Sequence, residues 1–169
     1  SDQNEYLQIT DNDIAILTHS PFLSVNLGIN VIEVAVPVTS MKSGEITGII
    51  INAYNEELIN KITSNSKGMG NSGEIVIGVK NGDNIQFVNS PKYALDGAIP
   101  QNIYLDEDVA MPMRLALNGK YGTVIGHDYR GIDVIAAYQH IPSMSWGLVA
   151  KMDRKEAFEP LTLLSTIAL

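Results

Sequence analysis

The sequence predicts an α+β fold, an antiparallel sheet with helices packed on one or both faces. Three observations carry this. From Gly119 to Asp153 three short alternating segments follow one another through turn signals, the pattern of an antiparallel meander with one face on a core. Two more strand pairs are signalled upstream, within Val31–Ala53 and Glu74–Asn89, each with a glycine-containing turn. The helical patterns are few and do not alternate with single strands, so the layers are those of an α+β domain rather than of βαβ units.

Taken in order, Ser1–Asn30 carries only weak signals: apolar runs at Tyr6–Ile9 and Ile14–Leu17, and a turn at His19–Leu23. Val31–Val38, apolar except for Glu33, predicts a well-buried strand, Met41–Glu45 a turn and Ile46–Ala53 the return strand. Asn55 predicts the N-cap of a helix over Glu56–Thr63, with acids in its first turn and Leu58, Ile59 and Ile62 along one side. Ser64–Gly73 is a loop rich in Gly, Ser and Asn. Glu74–Val79, a turn at Asn81-Gly82-Asp83 and Ile85–Asn89 form the next hairpin. Ser90–Asp108 is long and irregular, a kind of segment that often carries binding function. Val109–Asn118 predicts a short helix closed by Gly119 at C′.

In the meander, Thr123–Tyr129 is the first strand and Tyr129–Ile132 the turn. Ile132–Ile141 is the second strand, with Ile132, Val134, Ala136, Tyr138 and His140 on one face, and Trp146–Asp153 is the third. Asp153 and Glu156 have the spacing of a capping box that opens a helix over Arg154–Glu159.

With 169 residues, 45% of them hydrophobic, the chain fits one domain, or one domain plus part of another. The absence of cysteine removes disulfide frameworks and thiolate metal sites but assigns no compartment. A net charge of −8 without a Lys/Arg cluster argues against nucleic acid as a partner. Ser1 follows no signal peptide or initiator Met, so the chain reads as a processed or excised piece. Leu161–Leu169 has no charge but is shorter than the roughly 20 apolar residues that span a bilayer. Two readings stand for it: the first turns of a spanning helix, or a helix packing on the domain.

Gly68-Met-Gly-Asn-Ser-Gly73 spells G-x-G-x-x-G, but a dinucleotide loop follows a strand and opens a helix, and here the order is reversed. A kinase glycine loop is excluded by the absence of H-R-D and D-F-G. These glycines are expected to supply tight-loop geometry rather than a phosphate cradle. His19, His127 and His140 lack metal-ligand spacing, and His127 and Asp128, adjacent on a strand, point to opposite faces. No nucleophile–base pair, metal site or cofactor motif is found, so this piece is expected to have no catalytic residues, metal or cofactor.

Gly68–Gly78, Ala116–Gly122, Asp128–Gly131, Val134–Tyr138 and Trp146–Ala157 resemble, in order and spacing, the Cache (PAS-like, or PDC) extracytoplasmic sensor domains of prokaryotic, including archaeal, sensor histidine kinases. The resemblance implies a central antiparallel sheet of about five strands flanked by helices, lying outside the cell between two membrane helices. It also implies a long N-terminal helix, which has no counterpart here. Val31–Thr63 looks like the closing hairpin and connecting helix of a preceding, membrane-distal module. The expected division is an N-terminal hairpin-plus-helix extension or remnant over residues 1–63, a PAS-like Cache module over 64–160, and the start of a membrane helix over 161–169.

The resemblance implies a small-molecule ligand, a carboxylate or an amino acid, held between the sheet and the segment Ser90–Asp108 that covers it. Arg114 would grip a carboxylate with its planar fork, the alternative being a pairing with Asp106, Glu107 or Asp108. Asp128 would meet an ammonium, or instead cap the following turn. Tyr138 is a core ring whose hydroxyl needs a partner, and Tyr93 and Tyr104 in the cover are weaker candidates of the same kind. Trp146 reads as a core anchor. Residues that bind amino acids in related double-module sensors lie in the distal module, and none is carried over. The implied function is ligand sensing by the extracytoplasmic domain of a membrane-bound histidine kinase, as a homodimer attached through flanking membrane helices. The alternative is a protein-interaction or dimerisation module of a chemoreceptor or cyclase receptor, without a small-molecule ligand.

Overall fold

The computed structural model describes residues 17–18, 22–24, 29–93, 103–105 and 108–167. The runs expected at Tyr6–Ile9 and over most of Ile14–Leu17 lie outside the described residues, as do His19, Asp106, Glu107 and residues 94–102 of the expected cover. The chain divides into two compact units, Ser1–Leu58 and Ile59–Leu169, with the boundary inside a helix.

The first unit is built on β3 (Ile29–Thr39), which pairs on one side with β1 (Leu17–Thr18) and β2 (Phe22–Ser24) and on the other with β4 (Ile46–Asn55). The predicted hairpin is present, its register running from Val31↔Asn55 to Thr39↔Ile46. Burial departs from expectation: Val31, Ile32 and Ala35 are buried, but the second half of β3 is not. The cause is topological. Among the described residues β1 and β2 flank β3 only as far as Ala35, so the stretch containing Pro37 has β4 as its single neighbour. Every residue of β4 is exposed. Asn55 then caps α1 (Glu56–Thr63) as predicted, its Oδ1 accepting from the Glu57 N–H at 2.9 Å.

The second unit is a six-stranded antiparallel sheet. Its strands are β5 (Glu74–Asn81), β6 (Asn84–Phe87), β7 (Ile103–Tyr104), β8 (Gly122–His127), β9 (Asp133–Ile141) and β10 (Trp146–Asp153), in the order β7-β6-β5-β10-β9-β8. The resemblance implied about five strands, and the two-residue β7 makes the sixth. The meander forms one side of the sheet, and its third strand, β10, lies at the centre between β9 and β5. β8 stops at His127 rather than Tyr129 because Asp128–Ile132 closes a tight turn. There the Asp128 N–H donates to Ile132 O and the Gly131 N–H to Asp128 O, both at 2.9 Å.

α2 (Met111–Leu117) lies on the sheet, and glycines decide how closely. A Cβ built on Gly147 would come within 2.7 Å of Met113 Sδ and 3.1 Å of Ala116 Cβ, and one on Gly78 within 2.9 Å of the same sulfur. Strand positions without side chains therefore form the seat for the Met113 thioether, a flexible group suited to irregular gaps. The core around it includes Val76, Ile85, Ile103, Leu117, Val134 and Val149. Trp146 is buried, as expected of a core anchor. β10 runs directly into α3 (Arg154–Ile167), which continues past the predicted Glu159 and carries Pro160 inside it. Among the described residues no helix is long and apolar enough to cross a membrane.

Candidate functional site

The buried face of β10 runs Gly147, Val149, Lys151, and that of β5 runs Glu74, Val76, Gly78. The register sets Lys151 opposite Glu74. Two opposite charges thus meet across the middle of the sheet, both almost fully buried, with Lys151 Nζ 2.7 Å from Glu74 Oε2. The turn after β8 adds Asp128, whose Oδ2 lies 2.7 Å from the same ammonium and whose side chain is 1% exposed. Tyr129 donates its hydroxyl to the Glu74 carboxylate at 2.9 Å, and its ring lies 4.6 Å from the Lys151 ammonium.

Arg130 extends the cluster to the end of β10. Its Nε donates to Asp128 Oδ2 at 2.7 Å and its terminal nitrogen to Asp153 Oδ1 at 2.5 Å. The guanidinium stacks 4.1 Å from the centre of the Tyr93 ring. Asp128 Oδ1 also accepts from the backbone N–H groups of Arg130 at 2.8 Å and Ile132 at 3.2 Å, so it caps its own turn. Three carboxylates therefore enclose two cations, and each charge has partners. Burial opposes ionisation of Asp128, but the Lys151 ammonium and hydrogen bonds from Lys151 and Arg130 outweigh it and hold its pKa below the ordinary value. Burial first, and the Glu74 carboxylate second, push the Tyr129 phenol far up, so it stays a donor. Burial likewise raises the Tyr93 phenol, against the pull of Arg130.

Of the predicted ligand residues, the structure brings Tyr93 and Asp128 together in this cluster, where Lys151 and Arg130 already hold the Asp128 carboxylate. Arg114 stands apart on α2. Its guanidinium reaches Leu105 O at 3.4 Å and Asp108 at 4.0 Å, and among the described residues its buried Nε has no hydrogen-bond partner. Tyr138 is half-buried on β9, its hydroxyl close to the backbone of Gly122, and Tyr104 is 40% exposed on β7. His127 faces Asp133 at 3.3 Å, away from Asp128. Among the described residues no group of three or more His, Asp or Glu could hold a metal ion.

Glu74, Tyr129, Arg130, Lys151 and Asp153 escaped the reading of the sequence as site residues. One signal was available: a lysine in phase with the buried positions Gly147 and Val149 of an alternating strand requires a buried counter-charge. The expected capping box is absent. The Asp153 N–H donates to Ser72 Oγ at 2.9 Å, and Glu156 turns instead to the glycine loop, which offers it two backbone N–H groups and a hydroxyl where a capping box offers one N–H.

Among the described residues two cavities adjoin this region. The space between the sheet and α2, lined by Met113, Asp128, Tyr129 and Lys151 among others, is only about 10 Å³, roughly the room one water needs. A second of about 380 Å³ is lined by Asn60, Thr63, Glu74, Asn89, Ser90 and Lys92, among others.

A Cache-domain family matches residues 3–161. No curated protein matches the sequence. Among solved structures, the extracellular domain assigned to a histidine kinase, mmHK1S-Z3, is 18% identical with a TM-score of 0.60, over 88% of this chain and 53% of that one. The periplasmic sensory domain of the Campylobacter jejuni chemoreceptor Tlp1 is 17% identical with a TM-score of 0.61, over 94% and 56%. The ligand-binding domain of the Pseudomonas fluorescens chemoreceptor CtaA, in complex with L-isoleucine, is 17% identical with a TM-score of 0.51, over 87% and 56%. The chain spans about half the length of these domains. With the family match covering nearly all of its residues, and with the antiparallel sheet and flanking helices found here, the chain belongs to the Cache-domain family.

Proposed function

We propose that this chain is part of the extracytoplasmic ligand-sensing region of a membrane-bound signal transducer of the histidine-kinase class. Membership of the Cache family is the observation that carries this reading, and the likeness in fold to extracellular and periplasmic sensor domains supports it. Kinase activity would then lie in another part of the whole protein. Residues 1–63 would be the remnant of a membrane-distal module and 64–160 the sensor module. Leu161–Leu169 would start a membrane helix, with the receptor working as a homodimer.

The ligand class is a small carboxylate or an amino acid. Arg114 is the residue to hold it: among the described residues its buried Nε has no acceptor, and its contacts with Leu105 O and Asp108 are long. Tyr104 and Tyr138 would supply further contacts, while Tyr93 and Asp128 would sense the ligand through the ion cluster. A thermal-shift screen of this protein against amino acids, small carboxylates, amines and sugars tests the proposal. A ligand at about 100 times its Kd adds about 2.7 kcal/mol, a shift of several degrees, and Arg114→Ala should abolish it. A flat screen would favour the interaction module instead. One observation already favours that second reading: Ile46, Ile49, Ile50, Ile51 and Tyr54, spread over both faces of β4, are 36–55% exposed, apolar side chains of the kind partners cover.

A further inference from the structure

We propose that the glycine loop Gly68–Gly73 is an anion nest that holds α3 through Glu156, and that Lys92 ties this latch to the segment beginning at Ser90. The proposal rests on the sensing function above only for its purpose; the latch itself is a property of this chain.

The loop presents successive backbone N–H groups, an arrangement that binds anions. The anion here is the chain's own. Glu156 Oε1 accepts from the Asn71 N–H at 2.6 Å, and Oε2 accepts from the Ser72 N–H at 2.7 Å and from the Ser72 hydroxyl. The Ser72 oxygen in turn accepts from the Asp153 N–H at 2.9 Å, so one serine holds both the last residue of β10 and the first turn of α3. Gly70 adopts φ +67, and a Cβ there would lie 2.5 Å from Glu156 Oε1. The missing side chain is therefore the space the carboxylate occupies. Hydrogen bonds from Ser72 first, then from Asn71, also hold Glu156 ionised below the ordinary carboxylate range.

The latch has a second end. Lys92 Nζ donates to Asn71 O, and the Lys92 backbone N–H donates to Glu74 Oε1 at 2.5 Å. Lys92 stands just after Ser90 and Pro91, where the expected cover begins, and just before Tyr93, which stacks on Arg130. A displacement of Lys92 acts on the loop at Asn71, and the loop acts on α3 at Glu156. The physical chain runs Lys92, Asn71, Ser72, Glu156, and the Lys92 N–H joins it to the buried ion cluster at Glu74.

The test is amide hydrogen exchange, read residue by residue by NMR on this protein without ligand. The Asn71 and Ser72 amides should be protected although Asn71 is exposed. Glu156→Ala should accelerate both by about tenfold or more, the loss expected for a charge-assisted hydrogen bond. Gly70→Ala should do the same with Glu156 intact. Gly68→Ala is the control: it carries the same positive-φ strain (φ +85) with nothing within 4 Å of the added Cβ, and should leave both amides protected. Lys92→Met should accelerate exchange at Asn71 and Ser72, and less than additively when combined with Glu156→Ala. Unchanged exchange in the β9 and β10 amides verifies that each variant is folded. Unprotected Asn71 and Ser72 amides in the parent protein, or equal effects of Gly68→Ala and Gly70→Ala, would overturn the nest. An unaltered nest in Lys92→Met would overturn the relay. A flat ligand screen bears on the sensing function and leaves these exchange rates as they are.

Discussion

Lys151 shows what a single charge does at the centre of a sheet. Its ammonium meets Glu74, Asp128 and the face of Tyr129 within a few ångströms, with almost no water contact. Removing one partner of a buried ion pair strands the others, which costs about 3–5 kcal/mol. Lys151→Met should lower the urea midpoint accordingly and shift the melting temperature by on the order of 10 °C. Restoring charge balance in Lys151→Met, Glu74→Gln, Asp128→Asn should recover part of that loss, and a triple variant no better than the single would refute the electrostatic account. The same groups set an acid limit. Asp128 and Glu156 have folded pKa values below their unfolded ones. The unfolded chain therefore binds more protons, and the stability they lend is present above about pH 4 and lost as pH falls through the folded values. Urea midpoints measured from neutral pH to about pH 3 should decline in that window. Asp128→Asn should start lower and decline less.

At the scale of elements, α2 and the sheet fit because side chains are missing where the helix rests. Gly147→Ala would press a methyl onto Met113 Sδ, Ala116 Cβ and Leu117 Cγ, and Ala116 Cβ is fixed to the helix backbone and cannot swing away. Overpacking of this kind costs about 1–3 kcal/mol. Gly78→Ala meets mainly the flexible end of Met113, with Ile85 Cγ2 at 3.3 Å, and should cost less. Denaturant unfolding of the two variants measures the difference, and equal costs would show that the helix shifts as a body. The elements also show why some of the chain was readable and some was not. β10 matched its prediction from Trp146 to Asp153, because its alternation is bounded by a proline turn and a helix start. α1 matched because Asn55 caps it within two residues. Glu156 was misread as half of a capping box because i, i+3 spacing carries no information about a loop 85 positions away. Lys151 was passed over because period-two reading scores which face a residue occupies, and the partner that makes a buried lysine tolerable came from another strand.

The whole molecule carries its stability unevenly. The second unit has a continuous core over β5, β9, β10 and α2, with a saturated ion cluster at its edge. Over residues 31–58 of the first unit, only Val31, Ile32 and Ala35 are buried hydrophobics, and β4 is exposed along its whole length. Apolar content did not foretell this. Ile49, Ile50 and Ile51 read as part of the return strand beside a well-buried one, Val31–Val38, and sequence alone does not reveal how many strands lie next to the pair. Local opening free energies follow buried contacts, ranging from near zero at exposed edges to the global value in the core. The amides of β4 should therefore exchange by local opening, on the order of a hundredfold faster than those of Val134, Ala136 and Val149, a gap of about 2.7 kcal/mol. Rising urea should accelerate the core amides steeply and the β4 amides little, since a small opening exposes little new surface. Matching rates and matching urea slopes in both sets would mean that the two units unfold as one. A ligand gripped by Arg114 would slow exchange in the second unit alone, whereas a partner seated on the isoleucines of β4 would slow it in the first, so the same measurement separates the two readings of what this Cache domain binds.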